Sequence, residues 1–511
     1  MRKAVSIILV MALAACARQE TTTDTAMGGI ASPPARQEAY QYTVSKTAAP
    51  MSIADEIAEA PVHNTEEYGR FEENPFLRPA DQPLSTFSID VDRASYANVR
   101  RFLASGQRPP RDAVRIEEMV NYFTYDYPEA TDAPFSITTE LANCPWNDKH
   151  KLMLVGLQGR RMKTQDLPPN NLVFLIDSSG SMMSPDKLPL VKAGLRLLVE
   201  QLREEDRVAI VTYAGSAGLV LPSTAGTEKA TIMAAIDQLE AGGSTAGAEG
   251  IVLAYDVAND NFLRDGNNRV ILATDGDFNV GVTSDGELEQ LITEKRAGGI
   301  YLTVLGFGTG NIKDSKMELL ADKGNGNYAY IDSLQEARKT LVQEMGATLF
   351  TIAKDVKIQV EFNPARVGAY RLIGYENRLL RAEDFNNDAK DAGEIGAGHS
   401  VTALYEIVPP GETIPGGSVD PLKYQTATVR GGGSELATVK LRYKEPESET
   451  SRLLTRTVDD NVDPVMSNNL RLAAAVAELG MLLRNSEHKG EASYEDVIRL
   501  GGAEKELVEL A

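Results

Sequence analysis

The spacing of hydrophobic and polar positions is typical of alternating strands and helices from Asn171 to about Met345. The run Leu172–Ile176 is apolar at every position, as in a strand buried on both faces. After it, Leu188, Val191, Leu195, Leu198 and Leu202 recur at helical spacing. Further strand-like and helix-like segments follow in turn. This order predicts an α/β fold: a doubly wound, mostly parallel sheet with helices on both faces, over residues 171–348.

The pattern on either side of this unit is different. Residues 84–165 contain strand-like and helix-like segments, which predicts an N-terminal α+β region. After residue 350, strand-like segments are broken by Gly, Pro and Asn, and the chain then returns to helical spacing. Residues 350–511 are therefore expected to form a β-sandwich-like region followed by a helical tail.

The N-terminus reads as an export signal. Arg2 and Lys3 precede a short apolar run, Ala4–Ala12, and the segment Leu13–Cys16 resembles the lipobox of bacterial lipoproteins. We expect residues 1–15 to be a signal peptide and Cys16 to be lipidated. Because Ala17 follows the cysteine, the resemblance implies an outer-membrane lipoprotein that faces the periplasm.

Residues 16–83 are rich in Thr, Ala, Pro, Gln and Glu and show little periodicity, which predicts a flexible tether behind the lipid. Lipidation of Cys16 would leave Cys144 as the one free thiol, so no intrachain disulfide could form.

The charge balance narrows the choice of partners. There are 52 Lys and Arg against 73 Asp and Glu, a formal net charge of −21. This balance argues against nucleic acid and anionic lipid headgroups as partners, since both are recognised by basic surfaces. The membrane partner expected here is contacted through the N-terminal lipid instead.

Three polar clusters follow or precede predicted elements of the α/β unit. Asp177, Ser179 and Ser181 come after the first buried strand, Gly242–Thr245 precede a helix, and Thr274–Gly276 close another strand. Ligands bind at the carboxyl ends of strands in such sheets. Carboxylates and hydroxyls form an all-oxygen set that suits Mg²⁺, with Mn²⁺ or Ca²⁺ as alternatives, and does not suit zinc.

The order of these clusters resembles the metal-ion-dependent adhesion site of von Willebrand factor type A domains. By that resemblance the metal residues are Asp177, Ser179, Ser181, Thr245 and Asp275. In this family the hydroxyls bind the metal directly, the aspartates often act through water, and an acidic side chain of a partner protein completes the site.

Longer segments resemble the bacterial YfbK-like proteins, which are exported proteins with such a domain. They include STFSIDVDRASYANVRRFL, VILATDGDFNVG and SYEDVIRL, and the similarity runs from about Asn74 to the end. The resemblance implies an architecture rather than an activity.

Three functions remain open. The favoured one is a metal-dependent binding module of the cell envelope, without enzyme activity, that grips an Asp or Glu of an unidentified protein. The second is an envelope scaffold with a purely structural metal. The third is a metal-dependent hydrolase, but Ser179 stands where a phosphatase of this type needs a second aspartate, and no histidine occurs between His150 and His399.

Overall fold

The computed structural model describes residues 65–89, 92–131, 133–162, 167–243, 247–276, 285–344, 350–415, 433–446, 448–502 and 504–511. All of them fall within one compact unit, Pro61–Ala511.

The strands are β1 (Leu84–Ser88), β2 (Phe135–Asn143), β3 (Lys151–Gly159), β4 (Asn170–Asp177), β5 (Arg207–Ala214), β6 (Ser216–Ala225), β7 (Asn267–Thr274), β8 (Ile300–Phe307), β9 (Tyr328–Ile331), β10 (Thr351–Phe362), β11 (Ala369–Ile373), β12 (Gly393–Gly396), β13 (Ser400–Val408), β14 (Glu435–Lys444) and β15 (Arg452–Asp459). The α-helices are α1 (Ala94–Ala104), α2 (Ile116–Asn121), α3 (Leu188–Gln201), α4 (Lys229–Asp237), α5 (Gly247–Asp260), α6 (Asp285–Ala297), α7 (Asp314–Lys323), α8 (Leu334–Arg338), α9 (Asn468–Arg484), α10 (Tyr494–Gly501) and α11 (Lys505–Leu510). Shorter helical turns are Arg111–Ala113, Gly180–Met183, Lys339–Gln343 and Ala382–Asn386.

The central sheet has the order β6-β5-β4-β7-β8-β9. All neighbours are parallel except β6, which runs antiparallel to β5 at the edge. Phe174 of β4 shares a hydrophobic cluster with Leu195 of α3. Leu175, on the opposite face, shares another with Ile251 of α5. The sheet is therefore covered on both faces, which explains the uninterrupted apolar run and confirms the predicted doubly wound α/β fold.

Strands from before and after this unit pair with each other. β1 pairs with β10 in the sheet β1-β10-β14-β15, and β3 pairs with β13 in the sheet β11-β13-β3-β2. Aromatic rings fill the contact region, with Phe362 stacked on Tyr370 at a centroid distance of 4.0 Å and Phe87 at 4.9 Å from Tyr375. The regions 84–165 and 350–511 thus share two sheets, and the α/β unit is inserted between them.

The helical tail is present and packs on the N-terminal region. Val476 of α9 belongs to the same core as Val99 of α1 and Met119 of α2. Ser467 caps α9 by accepting a hydrogen bond of 3.1 Å from the backbone N–H of Leu470. This helical layer therefore also combines chain from both sides of the α/β unit.

The prediction of a flexible tether over 16–83 is wrong for residues 65–83. The Thr65 N–H donates to Gly310 O at 2.8 Å, and the Leu77 N–H donates to Tyr370 O at 2.8 Å. This segment is held through its backbone, which hydrophobic periodicity does not reveal. Cys16 and the rest of the predicted tether and signal peptide lie outside the described residues. Among the helices that the structure describes, none combines the length and apolarity needed to cross a membrane.

Candidate metal site at the carboxyl edge of the sheet

The loop after β4 lies beside the loop before α5. The Gly242 N–H donates to Ser178 O at 2.7 Å, and the Gly180 N–H donates to Gly243 O at 3.1 Å. Gly243 has a φ of +85°, a conformation that favours glycine. The structure therefore brings two of the predicted clusters together. Thr245 itself falls outside the described residues.

Asp177 is completely buried at the end of β4. Its Oδ1 accepts a hydrogen bond of 2.9 Å from the Ser179 N–H. Its Oδ2 accepts from the Tyr213 hydroxyl at 3.1 Å and from the Thr274 hydroxyl at 3.3 Å. Burial raises the pKa of Asp177, the hydrogen bonds from Ser179 and Tyr213 oppose that rise, and the charge of Asp275 adds to it. The carboxylate is thus held in one orientation in a desolvated place.

The two serines present their hydroxyls to the same point. Ser179 Oγ and Ser181 Oγ are 3.0 Å apart, although Ser181 lies in the helical turn Gly180–Met183 and not in the extended loop that the sequence suggested. Ser179 is buried and Ser181 is exposed. The hydroxyl pair therefore extends from the buried carboxylate to the solvent.

Asp275 follows β7 and is also buried. Its Oδ2 accepts a hydrogen bond of 2.8 Å from Lys187 Nζ and a longer one, 3.4 Å, from Asn311 Nδ2. Its Oδ1 is buried and has no hydrogen-bond partner among the described residues. A buried carboxylate oxygen without a partner is costly, and a bound cation or its water would satisfy it.

Four of the five predicted residues thus lie at one edge of the sheet, and all four carry side-chain oxygens. One of these oxygens, Oδ1 of Asp275, accepts no hydrogen bond from a described residue. This donor chemistry fits a hard divalent cation. Sequence reasoning missed Tyr213, Lys187 and Asn311 as neighbours of these groups, whereas Thr274 belonged to the predicted cluster Thr274–Gly276. Tyr213 could have been predicted as a neighbour, because β5 is parallel to β4 and its register places Tyr213 opposite Asp177. No local pattern points to Lys187 or Asn311.

A second group of carboxylates lies away from this edge. Asp355, Asp391 and Glu394 each bring an oxygen within 4.8 Å of the others. Lys444 Nζ lies 2.8 Å from Asp355, and Arg296 Nη1 lies 2.9 Å from Asp391. Side-chain cations already neutralise two of the three groups.

The histidine and cysteine that could serve nucleophilic catalysis lie elsewhere. His150 Nδ1 is 2.5 Å from Glu406 Oε1, and both side chains are buried. The two residues belong to the regions that flank the α/β unit. Burial raises the pKa of the Cys144 thiol well above its usual value, so the thiol stays protonated and unreactive.

Comparisons with known proteins agree with this architecture. Residues 171–344 match the family model of the von Willebrand factor type A domain, residues 62–154 match one described as von Willebrand factor, and residues 347–508 match the C-terminal family of protein YfbK. The chain is 46% identical over 444 residues to protein YfbK of Escherichia coli (strain K12), which covers 85% of this chain and 76% of that protein. It therefore belongs to the YfbK-like family of proteins with a von Willebrand factor type A domain.

The other similarities have lower sequence identity. Protein sll0103 of Synechocystis is 31% identical over 178 residues, which span 34% of this chain and 40% of that protein. Human inter-alpha-trypsin inhibitor heavy chain H3 is 28% identical over 174 residues, which span 32% of this chain and 19% of that protein. The solved structure of a von Willebrand factor type A protein from Catenulispora acidiphila is 15% identical, covers 74% of this chain and 89% of that one, and has a TM-score of 0.42.

Proposed function

We propose that this member of the YfbK-like family is a metal-dependent binding module. In this proposal Asp177, Ser179, Ser181, Thr245 and Asp275 hold Mg²⁺, with Mn²⁺ or Ca²⁺ as substitutes, and the cation grips an Asp or Glu of another protein. Bound there, the cation would supply a Lewis acid for one oxygen of the partner's carboxylate. The proposal is supported by the family match, because domains of this type mediate protein–protein interactions, often with a metal.

The observation that carries the proposal is the buried Oδ1 of Asp275, for which the described residues supply no hydrogen-bond partner, at the edge where Asp177 and Ser179 also place their oxygens. This chain's residues orient both carboxylates before any metal binds. Tyr213 and Thr274 fix Asp177, while Lys187 and Asn311 fix Asp275. Such preorganisation lowers the entropy cost of binding the cation.

Calorimetry on the mature chain with Cys16→Ser, which removes the lipid, tests the metal site. We expect saturable Mg²⁺ and Mn²⁺ binding that Asp177→Ala abolishes. Asp186→Ala is the matched control, because it removes the same charge from the adjacent turn, where Asp186 accepts a hydrogen bond from Ser184. Absence of metal binding with and without acetate, in a folded protein, would refute the proposal.

Capture of partners from envelope extract separates recognition from scaffolding. We expect the wild-type protein to retain the partner in Mg²⁺ and to release it in EDTA. After Ser179→Ala we expect no partner to be retained in Mg²⁺. A folded Ser179→Ala protein that keeps its partner would favour the scaffold with a structural metal. Metal-dependent phosphatase or esterase turnover that disappears in Asp177→Ala would favour the hydrolase.

We further propose that Cys16 carries the lipid that holds the chain at the outer membrane, facing the periplasm. The proposal is supported by the Leu13–Cys16 pattern behind the basic and apolar N-terminus. Cell fractionation of Cys16→Ser should move the protein from the outer membrane to the soluble fraction. An unchanged distribution would contradict the lipid anchor.

A further inference from the structure

Lys187 contributes a buried positive charge to the edge of the sheet where the metal residues meet. It directly precedes α3, and its side chain is 9% exposed while that of Asp275 is fully buried. Its Nζ lies 2.8 Å from Asp275 Oδ2. The ammonium therefore already occupies one oxygen of a carboxylate that the metal would use.

The stem of Lys187 is fitted into the fold. Gly308, just after β8, has a φ of +73°, and a Cβ added there would lie 2.3 Å from Lys187 Cε and Cγ. A side chain at this position would displace the lysine. Gly308 thus leaves room for the aliphatic part of the Lys187 side chain. Packing as well as electrostatic attraction therefore places the ammonium group against Asp275.

The charges of this group decide what it prefers to bind. Asp177 and Asp275 carry two negative charges, and Lys187 carries one positive charge. Tyr213, Thr274, Asn311 and Ser179 also hydrogen-bond these aspartates through their side chains, and all four are neutral. A divalent cation added to this set leaves one unit of positive charge in a mostly buried place, and one carboxylate would neutralise it.

We propose that Lys187 is a built-in counter-cation that weakens divalent-metal binding on its own and makes tight binding depend on an acidic ligand. The proposal rests on the function proposed above and adds a specificity-determining residue to it. Metal and carboxylate then bind with positive coupling, and by linkage each raises the affinity for the other by the same factor. In this arrangement the site is loaded when the partner arrives rather than before.

Titrations of Mn²⁺ with and without acetate, at constant ionic strength, test this on the full mature chain with Cys16→Ser. Wild-type affinity for Mn²⁺ should rise in acetate. Lys187→Met should bind Mn²⁺ roughly tenfold more tightly than wild type without acetate, because one repelling charge is gone, and should gain less from acetate. Lys192→Met is the matched control: it removes the same charge from α3, where Lys192 Nζ donates to the carbonyls of Asp237 and Leu239. It should behave as wild type.

Thermal melting gives a second readout that does not depend on ligand titration. Lys187→Met leaves Asp275 without its cation, so its melting temperature in EDTA should fall below that of wild type, and Mn²⁺ should raise it by more than it raises that of wild type. Lys187→Gln, which keeps a hydrogen-bond donor without the charge, should show the same larger metal effect.

The outcomes separate the two proposals. If wild type and Lys187→Met are folded and neither binds Mn²⁺ in acetate, the metal-site proposal fails. If wild type binds Mn²⁺ but acetate does not raise its affinity, or if folded Lys187→Met and Lys187→Gln bind no more tightly than wild type, only the role of Lys187 is overturned. A wild type whose affinity for Mn²⁺ does not rise in acetate overturns the role of Lys187 even if both variants misfold.

Discussion

The hydroxyl of Tyr213 donates a hydrogen bond of 3.1 Å to Oδ2 of Asp177, across the carboxyl ends of two neighbouring parallel strands. Both residues are completely buried. The contact keeps the Asp177 carboxylate turned toward the loop that carries the two serines. It is a supporting contact of the kind that tunes metal sites, because it orients a group that the metal uses.

Tyr213→Phe should therefore weaken Mn²⁺ binding by about tenfold without unfolding the protein. The phenyl ring keeps its packing while Asp177 loses one of the donors that orient it. Calorimetry gives the affinity. Tyr255→Phe is the control, since the buried Tyr255 hydroxyl has no hydrogen-bond partner in the described part of the chain and should be dispensable. Equal affinities for Tyr213→Phe and wild type would show that this contact does not orient the carboxylate.

Gly276, directly after Asp275, should not tolerate a side chain. Its φ is +106°, and an added Cβ would lie 2.3 Å from Asn311 O. Gly310, with a φ of +92° and nothing within 4 Å of an added Cβ, is the matched control. Both alanine substitutions carry the left-handed strain of about 1–2 kcal/mol.

Gly276→Ala should lose about 2 kcal/mol more in the free energy of unfolding than Gly310→Ala, because it adds a backbone clash to the same strain. Urea unfolding measures the difference. Mn²⁺ affinity should also fall in Gly276→Ala, since the clash displaces Asp275. Equal losses in the two variants would contradict the crowding seen at Gly276.

Arg100 of α1 ties the N-terminal helix to the end of the α/β unit. Its guanidinium donates to Asp332 at 2.7 and 2.8 Å, to Glu336 at 2.7 Å and to the Tyr122 hydroxyl at 2.9 Å, and it also pairs with Glu506 of α11. Arg100→Ala should cost about 3 kcal/mol in the free energy of unfolding, because mostly buried carboxylates would lose their cation.

Arg111→Ala is the control for that change. Arg111 pairs with Glu73 at 3.0 Å, but its side chain is 54% exposed. An exposed pair contributes little, so the urea midpoint of this variant should stay near that of wild type. Equal shifts of the urea midpoint in Arg100→Ala and Arg111→Ala would contradict a stabilising contact between Arg100 and the end of the α/β unit.

Glu478 of α9 should make the protein less stable as the pH rises. Burial, together with the charge of Asp496, raises its pKa to about 8, and no described group forms a hydrogen bond with either carboxylate oxygen. Below the ordinary glutamate pKa the group is protonated in both the folded and unfolded states. Between that value and about 8 unfolding releases a proton, so the free energy of unfolding falls with rising pH.

Glu478→Gln cannot lose a proton and should remove this slope. Its free energy of unfolding should exceed that of wild type by roughly 3 kcal/mol at pH 8 and by much less at pH 5. Urea titrations at the two pH values measure this. Glu491→Gln, a change at an exposed position, should follow wild type at both. A difference between Glu478→Gln and wild type that does not grow with pH would rule out a raised pKa for Glu478.

The α/β unit and part of the site could be predicted because they depend on local pattern. The all-apolar segment Leu172–Ile176 indicated a strand buried on both faces, and the serines at alternate positions after it indicated hydroxyls on one side of a loop. Parallel strands bring their carboxyl ends to one edge, so Asp177 and Asp275 were expected to be neighbours. Thr245 and Cys16 stay predictions.

Other features depend on contacts between distant parts of the chain. In the pairing of β1 with β10, Phe87 lies opposite Ile358. The periodicity of one strand does not show which other strand it pairs with. The segment that begins at Thr65 was taken for a tether because its order comes from contacts with distant residues. These are backbone hydrogen bonds, which any residue can make, and side-chain contacts such as that of Asn74 with Leu372 O.

By itself, the sequence determined where strands and helices form, which of their faces are buried and which oxygen-bearing residues follow which strand, because these follow from the spacing of neighbouring residues. The tertiary structure alone decided that both flanking regions share two sheets and that Lys187 meets Asp275 from 88 positions away. A contact between distant residues depends on the path of the whole chain, and the spacing of hydrophobic residues does not predict that path.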